Sequence, residues 1–294
     1  MINDKFLIGH ATDEENGTGV TVILAKEGAV GGVSVRGAAP GTRETDLLNP
    51  VNAVQTVHAV VLAGGSAFGL DASSGVMKYL HEQGVGFQAG KHIVPIVTSA
   101  IIFDLNYKRF AFPDQLMGYE AAKNASVNNV LQGHIGAGCG ATVGKILGPD
   151  SAGKGGLGMA SMQLKEGVTV TAIVVTNALG DIYDEKGEFL AGVKHPDQRS
   201  SIDLLLAGAQ TEDLAGQNTT IGCVLTNAKL SKSEVNKLAD ISHDGLALSI
   251  KPVHTAFDGD TMFALSSNEV DVDFLILQTA CVQVVQQAIV NSVK

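Results

Sequence analysis

Residues 216–228 read GQNTTIGCVLTNA, an Asn and two Thr residues set at the entrance to an apolar run. A Thr hydroxyl beside its own backbone amide can attack the carbonyl that precedes it. A Thr released as a new N-terminus then carries nucleophile and base in one residue. The same residues also suit a turn closed by Asn218, with Thr219 and Thr220 as β-branched residues opening a strand. A second group lies in HTAFDGDTMFAL, 254–265, where Asp258 and Asp260 flank a glycine. Two carboxylates at that spacing can couple and orient a neighbouring hydroxyl or amine. An Asx turn, or a metal loop lacking most of its ligands, would use the same pattern. Asn177, within VVTNALGD, is an amide in an otherwise apolar strand. Buried, it would need partners, and it could donate to an oxyanion.

Two Gly-rich runs offer further chemistry. VLAGGSAFGLDA, 61–72, could present backbone N–H groups to an anion, but it is neither GxGxxG nor a P-loop, so a tight turn explains it better. GHIGAGCGATVGKILG, 133–148, contains Cys139 and Lys145. Cys139 has no His and carboxylate at a familiar spacing and reads as packing. Lys145, between apolar residues after a Gly-rich turn, points into a cleft or sits as a surface charge. Thr98 and Ser99 either line a pocket or turn the chain. His10, His134, His243 and His254 lack metal-ligand spacing and are expected to be structural.

The elements that must position these groups follow from the apolar pattern. GVTVILA (19–25) and VHAVVLAGG (57–65) read as buried strands, and VTVTAIVVTNALGDIYD (168–184) as one or two more. GLDASSGVMKYLHEQG predicts a helix ended by Gly84. Ser231 and Glu234 form a capping box ahead of the inward stripe Val235, Leu238, Ala239, Ser242 and Leu246. TMFALSS resumes a strand, and a C-terminal helix closes the chain. The 184–218 segment is the most polar and reads as an exposed loop where a cut would be tolerated. No repeat or linker interrupts this single α/β domain of residues 1–294.

With 294 residues, 45% hydrophobic and 17% charged, the chain can bury a large core. A net charge of −10 and scattered Lys and Arg disfavour nucleic acid as a partner. Three cysteines without a CxxC pair argue against a disulfide framework or zinc knuckle, and a cytoplasmic location is expected. The start MINDKFLIGH lacks the basic end and apolar run of a signal peptide. Residues 274–293 carry no charge, but their Gln and Asn residues favour a buried or subunit-facing helix over a membrane span.

Taken together, GHATDEENGTGVTVIL, PGTRETDLLNP, VLAGGSAFGLDA, GVMKYLHEQGVGF, VPIVTSAIIFDL, GAGCGATVGK, KGGLGMAS, NTTIGCVLTNA and PVHTAFDGDTMFAL resemble the P1 family of self-processing peptidases. That family holds the L-aminopeptidase/D-esterases, the β-peptidyl aminopeptidases and the nylon-oligomer hydrolases. The resemblance runs from about His10 to the C-terminal helix. It implies a four-layer αββα sandwich, shaped like N-terminal nucleophile hydrolases but differently connected. It also implies self-cleavage at Asn218–Thr219 into a large subunit, 1–218, and a small one, 219–294, with Thr219 as nucleophile. Lys145, Asn177, Asp258 and Asp260 match site residues of the nylon-oligomer hydrolase branch. The better-studied aminopeptidases differ in having Ser as nucleophile and Tyr near the Lys145 position. The implied substrate is a short peptide, amide or ester, without metal or cofactor, and the implied assembly is a homo-oligomer, expected as a tetramer. Two other readings compete: an acyltransferase resembling the ornithine acetyltransferases, and an uncleaved small-molecule binding protein.

Overall fold

The computed structural model describes residues 3–127, 129–210 and 216–294. Nine strands join in one sheet: β1 (Leu7–Asp13), β2 (Thr18–Val35), β3 (Thr42–Arg43), β4 (Thr56–Ala63), β5 (Val97–Ile101), β6 (Gly156–Gln163), β7 (Thr169–Asn177), β8 (Thr219–Ala228) and β9 (Thr261–Val270). Their order is β6, β7, β8, β9, β2, β4, β5, β3, with β1 paired on β2. The β8/β9 and β4/β5 pairs are parallel and the others antiparallel.

The sheet covers itself by way of β2. The first part of this long strand pairs with β1 and β4, Ala29 and Val30 still reach β4, and the last six residues, Val30–Val35, pair with β9. A register slip between Leu24 and Ala29 separates the two parts, the kind of irregularity that bends a strand. Side chains from both halves therefore meet in one inner core, where Ile23, Val60 and Leu62 pack with Ile173, Ile221 and Phe263. Strand alternation sends the intervening residues outward. Val20, Val22 and Val61 pack under α1 (Ala72–Glu82) and α2 (Gln115–Lys123). Ala172, Val174, Val224 and Met262 pack under two long helices. These are α4 (Lys232–Ser249) and α5 (Phe274–Asn291), which follow the short α3 (Ser201–Leu206). Three cores between four layers make the αββα sandwich expected from the resemblance.

The helices start where their sequences specify. Ser231 and Glu234 exchange side-chain and backbone hydrogen bonds at the head of α4, and Val235, Leu238, Ala239 and Leu246 are buried behind them. The Asp273 carboxylate accepts the Leu275 N–H at the head of α5. This helix is long and apolar enough to cross a membrane by length and composition. Its Leu277, Cys281, Val284, Val285 and Ala288 nevertheless fill the core against β6 and β7. The contact is close: a Cβ on Gly158 of β6 would lie 1.9 Å from the Ala288 carbonyl oxygen.

The helix expected over GLDASSGVMKYLHEQG begins late. Residues Ser66–Asp71 form a 3₁₀ turn, and α1 starts at Ala72. Residues 168–184 form two strands, β7 and the short Asp181–Tyr183. The polar 184–218 segment holds only short elements among its described residues, the strand Phe189–Ala191 and α3.

Candidate active site

The end of β7 and the start of β8 lie side by side, with Asn177 opposite Thr219 in the ladder. Asn218 bridges in parallel to Asp258, so the loop before β9 reaches the same point. Sheet pairing alone thus gathers groups that are 42 and 39 residues from Thr219 in the chain.

The Thr219 hydroxyl donates to the Asn218 carbonyl oxygen at 2.5 Å. That oxygen also accepts the Gly259 N–H at 2.8 Å. A Cβ on Gly259 would stand 2.9 Å from Thr219 Oγ1 and 2.6 Å from the Ala39 carbonyl, so this close approach needs glycine. On either side of it, Asp258 and Asp260 are buried. Asp260 Oδ1 accepts the Thr220 N–H at 2.6 Å, and its Oδ2 meets His254 Nδ1 at 2.7 Å. Asp258 Oδ2 accepts the Thr255 N–H and hydroxyl at 2.8 and 2.6 Å. Burial, and then the charge of Asp260, pushes the Asp258 carboxyl up to about 6.

Lys145 is buried on the other side of the bond. Its ammonium donates to Asn177 Oδ1 at 2.7 Å, the Asn177 carbonyl at 3.0 Å and the Gln217 carbonyl at 2.9 Å. Desolvation lowers it to about 7, against the opposing pull of Asp258 and Asp104. Asn177 Oδ1 also accepts the Thr142 N–H, while Nδ2 donates to the Phe103 carbonyl at 3.1 Å and the Gln217 carbonyl at 3.5 Å. The structure therefore brings together all five side chains singled out from the sequence, with the Asn218–Thr219 bond among them. In the continuous chain the Asn177 amide serves neighbouring carbonyls, and the Gly259 N–H joins the Thr219 hydroxyl as a donor to the Asn218 carbonyl.

A cavity of about 600 Å³ opens onto this point, lined by Gln217, Asn218, Lys145, Asp104, Phe103 and Tyr107 among others. Asp104 was not anticipated. Its Oδ1 accepts the Gly65 N–H at 2.6 Å and its Oδ2 the Thr18 hydroxyl at 2.8 Å, and burial pushes it up to about 6. The Gly-rich turn at 64–65 thus spends an N–H on the protein's own carboxylate. Cys139 is buried, and desolvation raises its thiol, which suits packing and not nucleophilic attack. Thr98 and Ser99 are buried within β5 and do not line the cavity. His254 was expected to be structural, yet it touches Asp260. The only sequence signal for His254, Thr255 and Gly259 was their place inside HTAFDGDTMFAL.

Comparison with known proteins shows the family. The peptidase family S58 matches residues 5–294. The chain belongs to peptidase family S58. An uncharacterized aminopeptidase of Mycobacterium leprae is 44% identical over 273 residues, 86% of this chain and 72% of that protein. A 6-aminohexanoate-oligomer endohydrolase of Paenarthrobacter ureafaciens is 34% identical over 274 residues, 90% of this chain and 74% of that protein. The L-aminopeptidase D-Ala-esterase/amidase of Ochrobactrum anthropi, a variant of the Ntn hydrolase fold, superposes with a TM-score of 0.71. That match covers 98% of this chain and 84% of the other at 17% identity, and so concerns the fold. As an S58 member the chain is a hydrolase of an aminopeptidase family.

Proposed function

We propose that this S58 hydrolase makes its own nucleophile by cleaving Asn218–Thr219, and then uses the Thr219 hydroxyl on the amide bonds of short peptides or aminoacyl amides. The observation that carries this reading is the Thr219 hydroxyl 2.5 Å from the Asn218 carbonyl oxygen, with the Gly259 N–H on the same atom. In the first step Oγ1 bonds to the Asn218 carbonyl carbon, and the negative charge that builds on the oxygen meets a donor already in place. The C–N bond then breaks as the hydroxyl proton passes to the Thr219 nitrogen, leaving an ester. Water hydrolyses the ester to an Asn218 carboxylate and a free Thr219 amine.

That amine has an ordinary pKa of roughly 8, close enough to neutrality to accept the hydroxyl proton in later turnovers. Asp258 and Asp260 hold the loop and the start of β8 on either side of it. Departure of Gln217 would free one donor each from Lys145 and Asn177, both of which now serve its carbonyl. Those donors would face the acyl group of a substrate in the cavity. The names of the mycobacterial and nylon-oligomer relatives support amide substrates. Self-association belongs to the same reading, since α5 leaves Leu275 and Ile276 exposed and a homo-oligomer, expected as a tetramer, would cover them.

The test is intact-mass analysis beside a panel of L-, D- and β-aminoacyl anilides. Wild-type protein should resolve into fragments 1–218 and 219–294 and release the aniline. Thr219→Ala should stay one chain of 30.4 kDa and be inactive. Wild-type protein that hydrolyses anilides while remaining intact would overturn the mechanism.

A further inference from the structure

The Asp258–Gly259–Asp260 stretch carries two buried carboxylates that do not have the same surroundings. Asp258 has the N–H and hydroxyl of Thr255 and a backbone hydrogen bond from Leu179. Asp260 has the Thr220 N–H on one oxygen, and the backbone N–H and ring Nδ1 of His254 on the other, at 3.2 and 2.7 Å. His254 can bring both groups to one oxygen because its φ is 56°, in the left-handed region. The ring is mostly buried, with 18% of the side chain exposed, and its edge meets the His243 ring of α4 with centroids 4.8 Å apart. His243 Nε2 lies 3.0 Å from the Ser34 carbonyl at the end of β2, which makes it an N–H donor there. The far nitrogen, His254 Nε2, is buried with no hydrogen-bond partner among the described residues.

This geometry fixes the tautomer. An ionised Asp260 only accepts, so the proton sits on Nδ1. Asp260 and the His243 ring of α4 face the His254 ring, and Arg36, beyond the end of β2, acts on His243. Burial holds His243 down to about 4, so it stays neutral and adds no charge. The ring bond adds a side-chain donor to the two backbone N–H groups, of Thr220 and His254, that hold Asp260.

We infer that His254 is a positioning residue: its Nδ1–H holds the Asp260 carboxylate aimed at the Thr220 N–H, and so holds the start of β8 that carries Thr219. The inference rests on Thr219 as nucleophile, because Thr220 is the residue that links Asp260 to it.

The test uses two substitutions that both tolerate a positive φ. His254→Asn keeps a side-chain donor, and His254→Gly removes it. Processing rate, kcat and KM are measured on one aminoacyl anilide, with wild type and Thr219→Ala alongside. His254→Gly is expected to lower kcat by about 10-fold, less than the roughly 10²-fold of losing an acid–base group itself because His254 acts through Asp260, with KM little changed. His254→Asn should recover most of that loss. A His254→Gly kcat equal to that of wild type overturns the inference, as does an Asn variant as impaired as Gly. Should the Gly variant fail to fold, ring-nitrogen NMR of wild type decides: an Nε2–H tautomer on His254 at neutral pH overturns it. Activity in Thr219→Ala would instead remove the nucleophile reading itself.

Discussion

At the scale of single residues the site is a set of buried charges arranged around one peptide bond. Asp258 and Asp260 are separated by the glycine that donates to the Asn218 carbonyl, so moving either carboxylate moves that N–H as well. Asp258→Asn and Asp260→Asn should each slow turnover by on the order of 10²-fold with the fold retained. The double variant should lose far less than the product of the two, because groups acting as one unit are not additive. Single-site kinetics on cleaved enzyme, with circular dichroism as a control, check this. Near wild-type rates for both single variants would reduce the stretch to a turn. Lys145 gives a separate signature. Its native value is held near 7 by burial against an ordinary 10.5, so between those values the unfolded chain binds a proton that the native chain does not. Stability therefore rises with pH across that window, and Lys145→Met should abolish the rise. Denaturation of both proteins from pH 7 to 10, in the Thr219→Ala background, measures it. A difference between them that stays constant with pH would show that native Lys145 keeps its proton.

At the scale of elements, the four layers meet where side chains are small. Gly158 of β6 lies under the Ala288 carbonyl of α5, so the strand and helix approach to backbone contact. Gly158→Ala should cost about 1–3 kcal/mol by overpacking, read as a shifted denaturation midpoint with an unchanged slope. A wild-type midpoint would mean that α5 is free to lift. This scale also shows what the sequence made legible. The head of α4 could be read because Ser231, Glu234 and the stripe behind them are local to one helix. Asn177, Lys145 and the Asp pair could be placed at one site only through the family resemblance. Asp104 and the fold of the sheet about β2 stayed hidden because each depends on distant pairing. Asp104 meets Thr18, 86 residues away, and β2 meets β9 across most of the chain. His254 and Gly259 were visible as residues but not as partners, since a ring–carboxylate bond and a backbone donor leave no periodic trace. The start of α1 was misplaced for a related reason: Gly65, with φ 82° and its N–H on Asp104, sets a 3₁₀ turn ahead of the helix.

At the scale of the whole molecule, the proposed cut divides the chain without dividing the fold. Residues 219–294 supply β8, β9, α4 and α5. In the sheet β8 lies between β7 and β9, and β9 between β8 and β2, so the small fragment is held on both edges by strands of the large one. Its inward residues Ile221, Cys223, Phe263 and Leu265 share the inner core with Ile23, Leu62 and Ile173, while α5 covers β6 and β7 and α4 packs on β2 and β9. Cleavage removes one peptide bond and no strand pair. Separating the fragments would expose both cores, at roughly 25 cal/mol for each Å² of apolar surface uncovered. Processed protein should therefore elute under native conditions at the volume of Thr219→Ala, while a denaturing gel resolves two chains from the first and one from the second. Fragments mixed after denaturation should regain activity only together. A small fragment that elutes alone without denaturant would mean that the β7/β8 and β9/β2 ladders do not hold after the cut. The nucleophile would then leave the cavity, and the proposed site could not persist in the mature enzyme.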